Sequence, residues 1–368
     1  METRTQAIKE FSIDMSREQL IAVNQAFIPH KKDFIRMSLV ESNIIFEGID
    51  TANQIKITIG NESVRDEYVG IQFFISKFVL DKLESTMQDK VKLSFQHDGS
   101  VWHTLIVDIK GDKIQIGLPI FDETIDTGYT AEAEETINAE ALAEALRCVE
   151  ASVVPHSETL ACVEFNKTIQ FGSSASLSIY NKPVLKTLKT KIAEDFRRYV
   201  NNLCKIGTNI TIMNAKNTAG SSVVVFKCEN VEYISILPAH RLPDITNIVT
   251  GKVSEFKVQI AELKEALERL SIPLMGNDAE TIMIAEGNHL SIQVYDIQNR
   301  LSYAKVDITE TDGDDHARVN VNIKSLINII SVFENDTKAQ FGINKNKEVM
   351  ALVLEDSKQK TYLVSNID

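Results

Sequence analysis

The sequence has few cysteines, a single tryptophan and no long apolar run. Its 368 residues include only four cysteines, and their spacing fits neither a CxxC redox pair nor a zinc site. We expect them to be reduced and mostly buried. No window approaches the ~18 uninterrupted apolar residues that a membrane span needs, and the first residues lack the apolar core of a secretory signal. The sequence therefore favours a cytoplasmic protein without disulfides.

Motifs of catalysis and cofactor binding are also absent from the sequence. Its seven histidines form no HxH, HExxH or HxxxH pattern, and there is no GxSxG, Gly-rich phosphate loop or dinucleotide fingerprint. We therefore expect no catalytic activity, no cofactor and no metal. An alternative is a cytoplasmic hydrolase acting across a domain cleft, which would bring titratable groups together in a concave site.

Positive charge is in the minority. The chain has 39 Lys and Arg against 52 Asp and Glu, which gives a formal net charge of −13. This balance opposes simple adhesion to nucleic acid or anionic membrane, because long-range attraction to phosphate needs a positive field. At about 100–200 residues per domain, the length predicts two or three domains, each large enough for its own core.

One pattern occurs three times along the chain. Each copy has a short strand of alternating polarity and then a helix with apolar residues three or four positions apart. The strands are predicted at 11–15, 136–138 and 256–260, and the helices that follow them at 17–27, 139–149 and 262–270. A second helix comes about half a domain later in each copy, at 75–87, 192–204 and 324–333. In the first of these, Phe78, Val79 and Leu83 are expected to point inward.

Strand runs follow the second helices and fix the domain length. They start at Val91, Ile210 and Ala339, about 120–130 residues apart, which is the size of a typical domain. Short turns rich in Gly and Asn between the strands imply antiparallel sheet. We therefore predict an α+β fold of three similar domains, 1–131, 132–251 and 252–368, each built from two repeats of a helix plus antiparallel strands.

Basic residues are concentrated between Lys182 and Lys205, where seven of them accompany only two acids. Such a segment is either a solvated face or a surface that contacts DNA phosphates without reading sequence. Smaller concentrations of the same kind are Lys31, Lys32 and Arg36 after the first helix and Lys77 and Lys82 in the second.

Three internally doubled domains resemble the bacterial sliding clamp, the beta subunit of DNA polymerase III. The resemblance covers Phe11 to Ile367. Its local signatures are Arg241-Leu-Pro-Asp-Ile, Asn320-Val-Asn-Ile, the terminal Tyr362-Leu-Val-Ser-Asn-Ile and Gly117-Leu-Pro. The family's Thr-Asp-Gly-His-Arg-Leu loop would fall near 173–179, where its charged residues are missing, and the chain ends in Ser365-Asn-Ile-Asp instead of the family's usual ending. These departures indicate a divergent member.

The resemblance implies a DNA-clamp fold in which two subunits join head to tail into a ring, with helices inside and sheets outside. Such a homodimer would encircle double-stranded DNA regardless of its sequence, tether a replicative DNA polymerase, confer processivity and associate with the nucleoid in the cytoplasm. The basic residues that would contact DNA are Lys31, Lys32, Lys186, Lys189, Lys191, Arg197 and Arg198. A clamp-like scaffold without polymerase binding is an alternative, suggested by the missing loop.

The same resemblance implies two protein interfaces. The dimer interface would place Ile114 and Ile116 of one subunit against Ile272 and Leu274 of the other. A pocket between the middle and last domains would receive a short linear peptide from the polymerase or the clamp loader. The residues implied for this pocket are Leu160, Leu177, Ile179, Pro243, Asn247, Ile248, Asn322, Val349, Ala351, Leu363, Ser365 and Ile367. Both sets are also compatible with ordinary core and strand positions.

Overall fold

The computed structural model forms two compact units. It describes residues 10–50, 52–86, 89–109, 111–121, 125–150, 162–172, 176–239, 242, 251–274, 279–296, 298–313, 318–334, 337–343 and 349–366. The first unit comprises Met1–Ala139 and Asp195–Leu237, and the second comprises Glu140–Glu194 and Pro238–Asp368. The predicted middle domain contributes strands to both units, so the division into three domains stays a prediction. Among the described residues, no helix has the length and apolarity to span a membrane.

The described chain contains 24 strands and six α-helices. The strands are β1 Glu10–Ser16, β2 Phe34–Val40, β3 Asn43–Asp50, β4 Asn53–Gly60, β5 Gln72–Ser76, β6 Lys90–His97, β7 Trp102–Ile109, β8 Asp112–Gly117, β9 Tyr129–Asn138, β10 Cys162–Phe165, β11 Ile169–Gly172, β12 Ser176–Tyr180, β13 Thr190–Ala193, β14 Asn209–Asn217, β15 Ser222–Cys228, β16 Val231–Ile236, β17 Gly251–Val258, β18 Glu280–Glu286, β19 His289–Tyr295, β20 Leu301–Gly313, β21 Arg318–Asn322, β22 Thr337–Ile343, β23 Val349–Glu355 and β24 Gln359–Asn366. The helices are α1 Arg17–Ala26, α2 Lys77–Thr86, α3 Ala139–Glu150, α4 Arg197–Leu203, α5 Ile260–Ser271 and α6 Ile323–Ile330.

The sheets repeat one strand order. The first unit has a four-stranded sheet, β1-β6-β7-β8, and an eight-stranded sheet, β5-β2-β3-β4-β16-β15-β14-β9. The second unit has a twelve-stranded sheet, β13-β10-β11-β12-β24-β23-β22-β17-β20-β19-β18-β21. The groups β5-β2-β3-β4, β13-β10-β11-β12 and β21-β18-β19-β20 share one arrangement, and every pairing is antiparallel. The predicted α+β class of doubled repeats is therefore confirmed.

Local signals explain where the first helix begins. Ser16 caps α1, because its hydroxyl accepts a hydrogen bond from the Gln19 amide at 3.1 Å, and the Gln19 side chain accepts one from the Ser16 amide at 2.9 Å. This reciprocal capping box satisfies two donors that a helix N-terminus leaves open. Leu20 and Val23 then pack inward one turn apart.

Two helix predictions are wrong in detail. The helix expected at 192–204 starts later, because Thr190–Ala193 pairs with β10 as a strand and a 3-10 turn at Glu194–Phe196 precedes α4. The expectation that Phe78 points inward is also wrong, since its side chain is 64% exposed. Leu80 and Leu83 form the buried side of α2, and Phe78 lies about 200° around the axis from Leu80 at 100° per residue.

Aromatic and branched side chains fill the core of each unit. In the first unit Phe11 stacks on Phe95 at 4.9 Å and meets Trp102 edge-on at 4.8 Å between ring centroids. In the second unit Phe256 and Phe341 meet edge-on at 5.3 Å, within a cluster that also contains residues of α5 and α6. These contacts hold the helices against the sheets, since offset and edge-on ring pairs are favourable beyond the area that they bury.

Candidate DNA-contacting and partner-binding surfaces

The basic segment before β13 presents two lysines outward because two leucines, three positions apart, anchor it. Leu185 and Leu188 are buried, whereas Lys186 and Lys189 between and beside them are exposed. Lys191 lies within β13 and is partly buried, and its Nζ donates a hydrogen bond to the Ala239 carbonyl at 3.4 Å. The segment therefore holds the side chains of Lys186 and Lys189 on its exposed side.

Arg198, on the first turn of α4, is held by an internal ion pair. Its Nη2 lies 2.6 Å from Asp50 Oδ2, and the Tyr199 hydroxyl donates to the same oxygen at 2.9 Å. The Arg198 guanidinium also lies 5.1 Å from the centre of the Tyr199 ring. Burial is the first cause that raises the pKa of Tyr199 well above its ordinary value, so the phenol stays protonated as a donor.

Further hydrogen bonds fix α4 within the first unit. The Asn202 Nδ2 donates to the Gln25 carbonyl and to the Tyr233 hydroxyl, both at 2.8 Å. Tyr233 in turn donates to the Ala26 carbonyl at 2.6 Å. The end of α1 and the middle of α4 therefore share one buried polar network, which no sequence pattern had indicated.

Lys31 and Lys32 are exposed in the turn that follows α1. The residue before them, His30, is 4% exposed, and its ring packs edge-on against Phe27 at 5.5 Å. Burial lowers the pKa of His30, and the nearby Asp50 carboxylate acts in the opposite direction. The turn thus buries its histidine and presents its two lysines.

The helices carry a different charge balance from the rest of the chain. The six helices together contain nine basic and nine acidic residues, whereas the whole chain has a net charge of −13. The excess of acid therefore lies outside these six helices. A chain that is acidic as a whole can still offer phosphate a neutral or locally basic set of helices.

An apolar cluster in the second unit contains several residues of the predicted peptide pocket. Leu177, Ala351, Val353 and Tyr362 are buried together, with Ile179, Leu242 and Val364 partly buried around them. Strand pairing sets this grouping, because Leu177 lies opposite Tyr362, and Ala351 lies opposite Val364. The Leu242 amide donates to Glu164 Oε1 at 3.1 Å, which ties that residue to β10.

Leu363, another predicted pocket residue, belongs to the large core that contains α5 and α6. Successive residues of a strand point to opposite faces, so Tyr362 and Val364 occupy the face of Leu177 and Leu363 the other. Sequence reasoning missed Tyr362, Val364, Val353 and Leu242. Because β24 is apolar on both faces, its sequence does not show which residues point toward Leu177. The pairing of Tyr362 with Leu177 shows it.

The remaining predicted pocket residues divide into two groups. Asn322 caps α6 by accepting a hydrogen bond from the Ser325 amide at 3.0 Å, which is a structural role. The backbones of Val349 and Ser365 lie on β23 and β24, where Val349 pairs with Asn366 and Ser365 with Met350. Outside the described residues lie Leu160, Pro243, Asn247, Ile248 and Ile367.

The predicted dimer residues differ in exposure. Ile114 is 48% exposed on β8, which is the outermost described strand of its sheet, and Ile116 is partly buried there. Ile272 is 74% exposed in the 3-10 turn after α5, whereas Leu274 at the end of that turn is buried. An edge strand with exposed isoleucine is a surface on which another strand can pair.

Cysteine and metal-binding groups give no sign of a reactive centre in the part of the chain that is described. All four cysteines are free, as expected. Burial raises the pKa of Cys162 to about 11 and that of Cys204 to about 12, which keeps both as thiols. No group of three or more potential metal ligands occurs among the described side chains.

Known proteins match this chain in structure but not in sequence. No family model and no curated protein matches the sequence. The DNA polymerase sliding clamp from Caulobacter crescentus aligns with 97% of this chain and 100% of its own, at a TM-score of 0.77 and 12% identity. This chain has the sliding-clamp fold.

Two further clamp structures agree with that assignment. The DNA polymerase III beta subunit from Thermotoga maritima aligns with a TM-score of 0.76 at 12% identity, and that from Pseudomonas aeruginosa with 0.76 at 11%. Each covers 97% of this chain and 100% of its own. The predicted clamp fold is confirmed, and the low identities agree with the divergence expected from the altered loop and C-terminal signatures.

Proposed function

We propose that this chain is a DNA sliding clamp, a ring that encircles duplex DNA and holds a replicative polymerase on it. The full-length match to clamp structures carries the proposal, because the alignments cover 97% of this chain and the whole of each reference chain. The protein would act as a processivity factor without catalysis of its own. Its three domains would be 1–131, 132–251 and 252–368.

Topology explains how an acidic protein can serve this purpose. A closed ring stays on DNA because it is linked to it, so contacts with phosphate can be weak and independent of sequence. The balanced charge of the helices supports this arrangement. Lys31, Lys32, Lys186 and Lys189 are the exposed candidates for phosphate contact, and Lys191, Arg197 and Arg198 would contribute less because they are partly buried.

Closure of the ring would use the edge of β8 in one subunit. Ile114 and Ile116 would pack against Ile272 and Leu274 of a second copy, giving a head-to-tail homodimer. The exposure of Ile114 and Ile272 supports this role, since both are large apolar side chains left in solvent by the folded chain.

The partner site would be the apolar cluster around Leu177 and Tyr362. Such a cluster with a partly buried rim suits the apolar side chains of a short linear peptide from a polymerase or clamp loader. Ile179 and Val364 form part of that rim, so replacing both with serine should weaken peptide binding at least tenfold by fluorescence polarisation. The matched control is Tyr295→Ser, an exposed site outside the cluster, and an equal loss there would place the pocket elsewhere.

Topological binding is tested on circular DNA. The protein is diluted with a nicked plasmid and reconcentrated so that rings reassemble around the DNA, and the complex is washed at a salt concentration that removes phosphate contacts. We expect retention on the circle and release when a restriction enzyme linearises it. Release from circular and linear DNA at the same rate would contradict the proposal.

A further inference from the structure

Phe78 is an exposed aromatic residue whose position the packing of its helix does not explain. Its side chain is 64% exposed on the first turn of α2, although Leu80 and Leu83 already supply the buried side of this helix. The Lys82 Nζ lies 5.4 Å from the centre of its ring, one turn further along. A single exposed apolar side chain is common in soluble proteins, so the significance of Phe78 depends on its surroundings.

Those surroundings contain four lysines, together with the exposed acids Asp33 and Asp81. Lys77 begins α2, and its backbone amide donates to the Asp33 carbonyl at 2.6 Å while its Nζ donates to the His30 carbonyl at 3.4 Å. These bonds hold the turn that carries Lys31 and Lys32 beside the start of α2. The same turn presents Ile28, which is also 64% exposed. Lys31, Lys32, Lys77 and the two exposed apolar side chains therefore lie where the end of α1 meets the start of α2, and Lys82 lies one turn further along α2.

Lysines beside an exposed ring form a combination that suits nucleic acid with unpaired bases. The lysines attract phosphate without reading sequence, and an aromatic face stacks on any base whose own face is uncovered. Inside a continuous duplex the neighbouring base pairs cover those faces. A purely phosphate-contacting surface for duplex DNA would need the lysines alone.

We propose that Phe78, with Lys31, Lys32, Lys77 and Lys82, binds unpaired nucleotides, so that the surface recognises the single-stranded side of a primer–template junction. The proposal rests on the proposed clamp function and adds a preference to it. Phe78 stacks on a base while the lysines contact the flanking phosphates, and Ile28 extends the apolar surface.

Fluorescence anisotropy of the full-length protein tests the preference. The probes are a primed template with a single-stranded thymidine overhang and a blunt duplex of equal length, both at low salt. The variants are Phe78→Leu, which keeps an apolar side chain, Phe78→Trp, which keeps an aromatic face, and Val40→Ala, an exposed residue at the far end of β2.

We expect the wild type to favour the primed template. Phe78→Leu should lower that affinity by about 5- to 150-fold, the value of one stacked base, and leave duplex affinity and the salt dependence unchanged. Phe78→Trp should retain the preference, and Val40→Ala should change nothing. In addition, 5-iodouracil in the overhang should cross-link on irradiation to the peptide that contains Phe78.

Equal affinity for both probes, or no loss on Phe78→Leu, would overturn the proposal. A loss of protein-partner binding in that variant with DNA binding intact would also overturn it, and would assign Phe78 to a protein interface. Retention on circular DNA distinguishes a failure of the ring function from a failure of the junction preference. If the plasmid is retained and Phe78→Leu has no effect, only the junction preference fails; if retention fails while the Phe78 effect persists, only the ring function fails.

Discussion

Arg198 and Lys189 belong to one basic segment of the sequence, but the fold uses them differently. Arg198 is one-third exposed and pairs with Asp50, whose side chain is 11% exposed. Lys189 is exposed beside the buried Leu188. The contrast shows that a run of basic residues is not one functional unit, since some of its charges stabilise the protein and others remain on its surface.

Replacing Asp50 tests most directly whether the Arg198 ion pair stabilises the protein. Asp50→Ala takes the acceptor from both Arg198 and Tyr199. Losing hydrogen bonds to a partly buried charged group should lower the free energy of unfolding by about 2–3 kcal/mol. Urea denaturation followed by circular dichroism measures the change.

The matched control is an exposed ion pair in the same unit. Arg65 and Glu67 lie 3.4 Å apart with side chains 71% and 58% exposed. Glu67→Ala should change stability by less than about 0.5 kcal/mol, because water screens such pairs. Equal losses in the two variants would mean that the Asp50 pair is no more structural than a surface contact.

The pH dependence of stability tests the same region with a smaller expected effect. Burial lowers the pKa of His30, with Asp50 acting against it and Lys77 and Lys32 adding to the lowering. The folded state therefore prefers the neutral imidazole. Its contribution to stability is complete above the unfolded pKa of about 6.5 and is lost as the pH falls through the folded value.

Urea midpoints measured between about pH 7.5 and 5 should thus fall on the acid side in the wild type and fall less in His30→Gln. Asp50→Asn should make the decline steeper, because it removes the carboxylate that favours the protonated ring. If both variants follow the wild-type slope, His30 does not control stability in this range.

Periodicity predicted most of the fold. Helices α1, α3 and α5 begin within two residues of their expected starts, because each has an apolar stripe at helical spacing. The prediction for Phe78 was wrong because it assumed that an apolar side chain is buried. Leu80 and Leu83 form the buried side of α2, and Phe78 lies on the opposite side. Residues 192–193 were misplaced because a four-residue strand followed by a 3-10 turn has too few residues to show either period.

The sites were harder to predict than the elements for a physical reason. Asp50 and Arg198 are 148 positions apart in sequence, and only the folded backbone brings them together. The apolar face of β24 could not be chosen because both faces are buried, so Tyr362 and Leu363 look alike in sequence. Composition alone marked residues 182–205 as basic, but it did not show which of these charges are exposed.

Replacing the exposed lysines of the basic segment should change DNA binding and leave stability almost unchanged. Lys186→Ala combined with Lys189→Ala removes two exposed charges, so the plot of log affinity for a duplex against log salt should become shallower by about 2 units. The unfolding free energy should stay within about 0.5 kcal/mol of wild type. Lys92→Ala combined with Lys216→Ala removes the same charge from exposed strand positions and should leave the slope nearly unchanged. A matching decrease in this control would mean that only net charge matters, and that the anchored lysines before β13 form no DNA-contacting surface of their own.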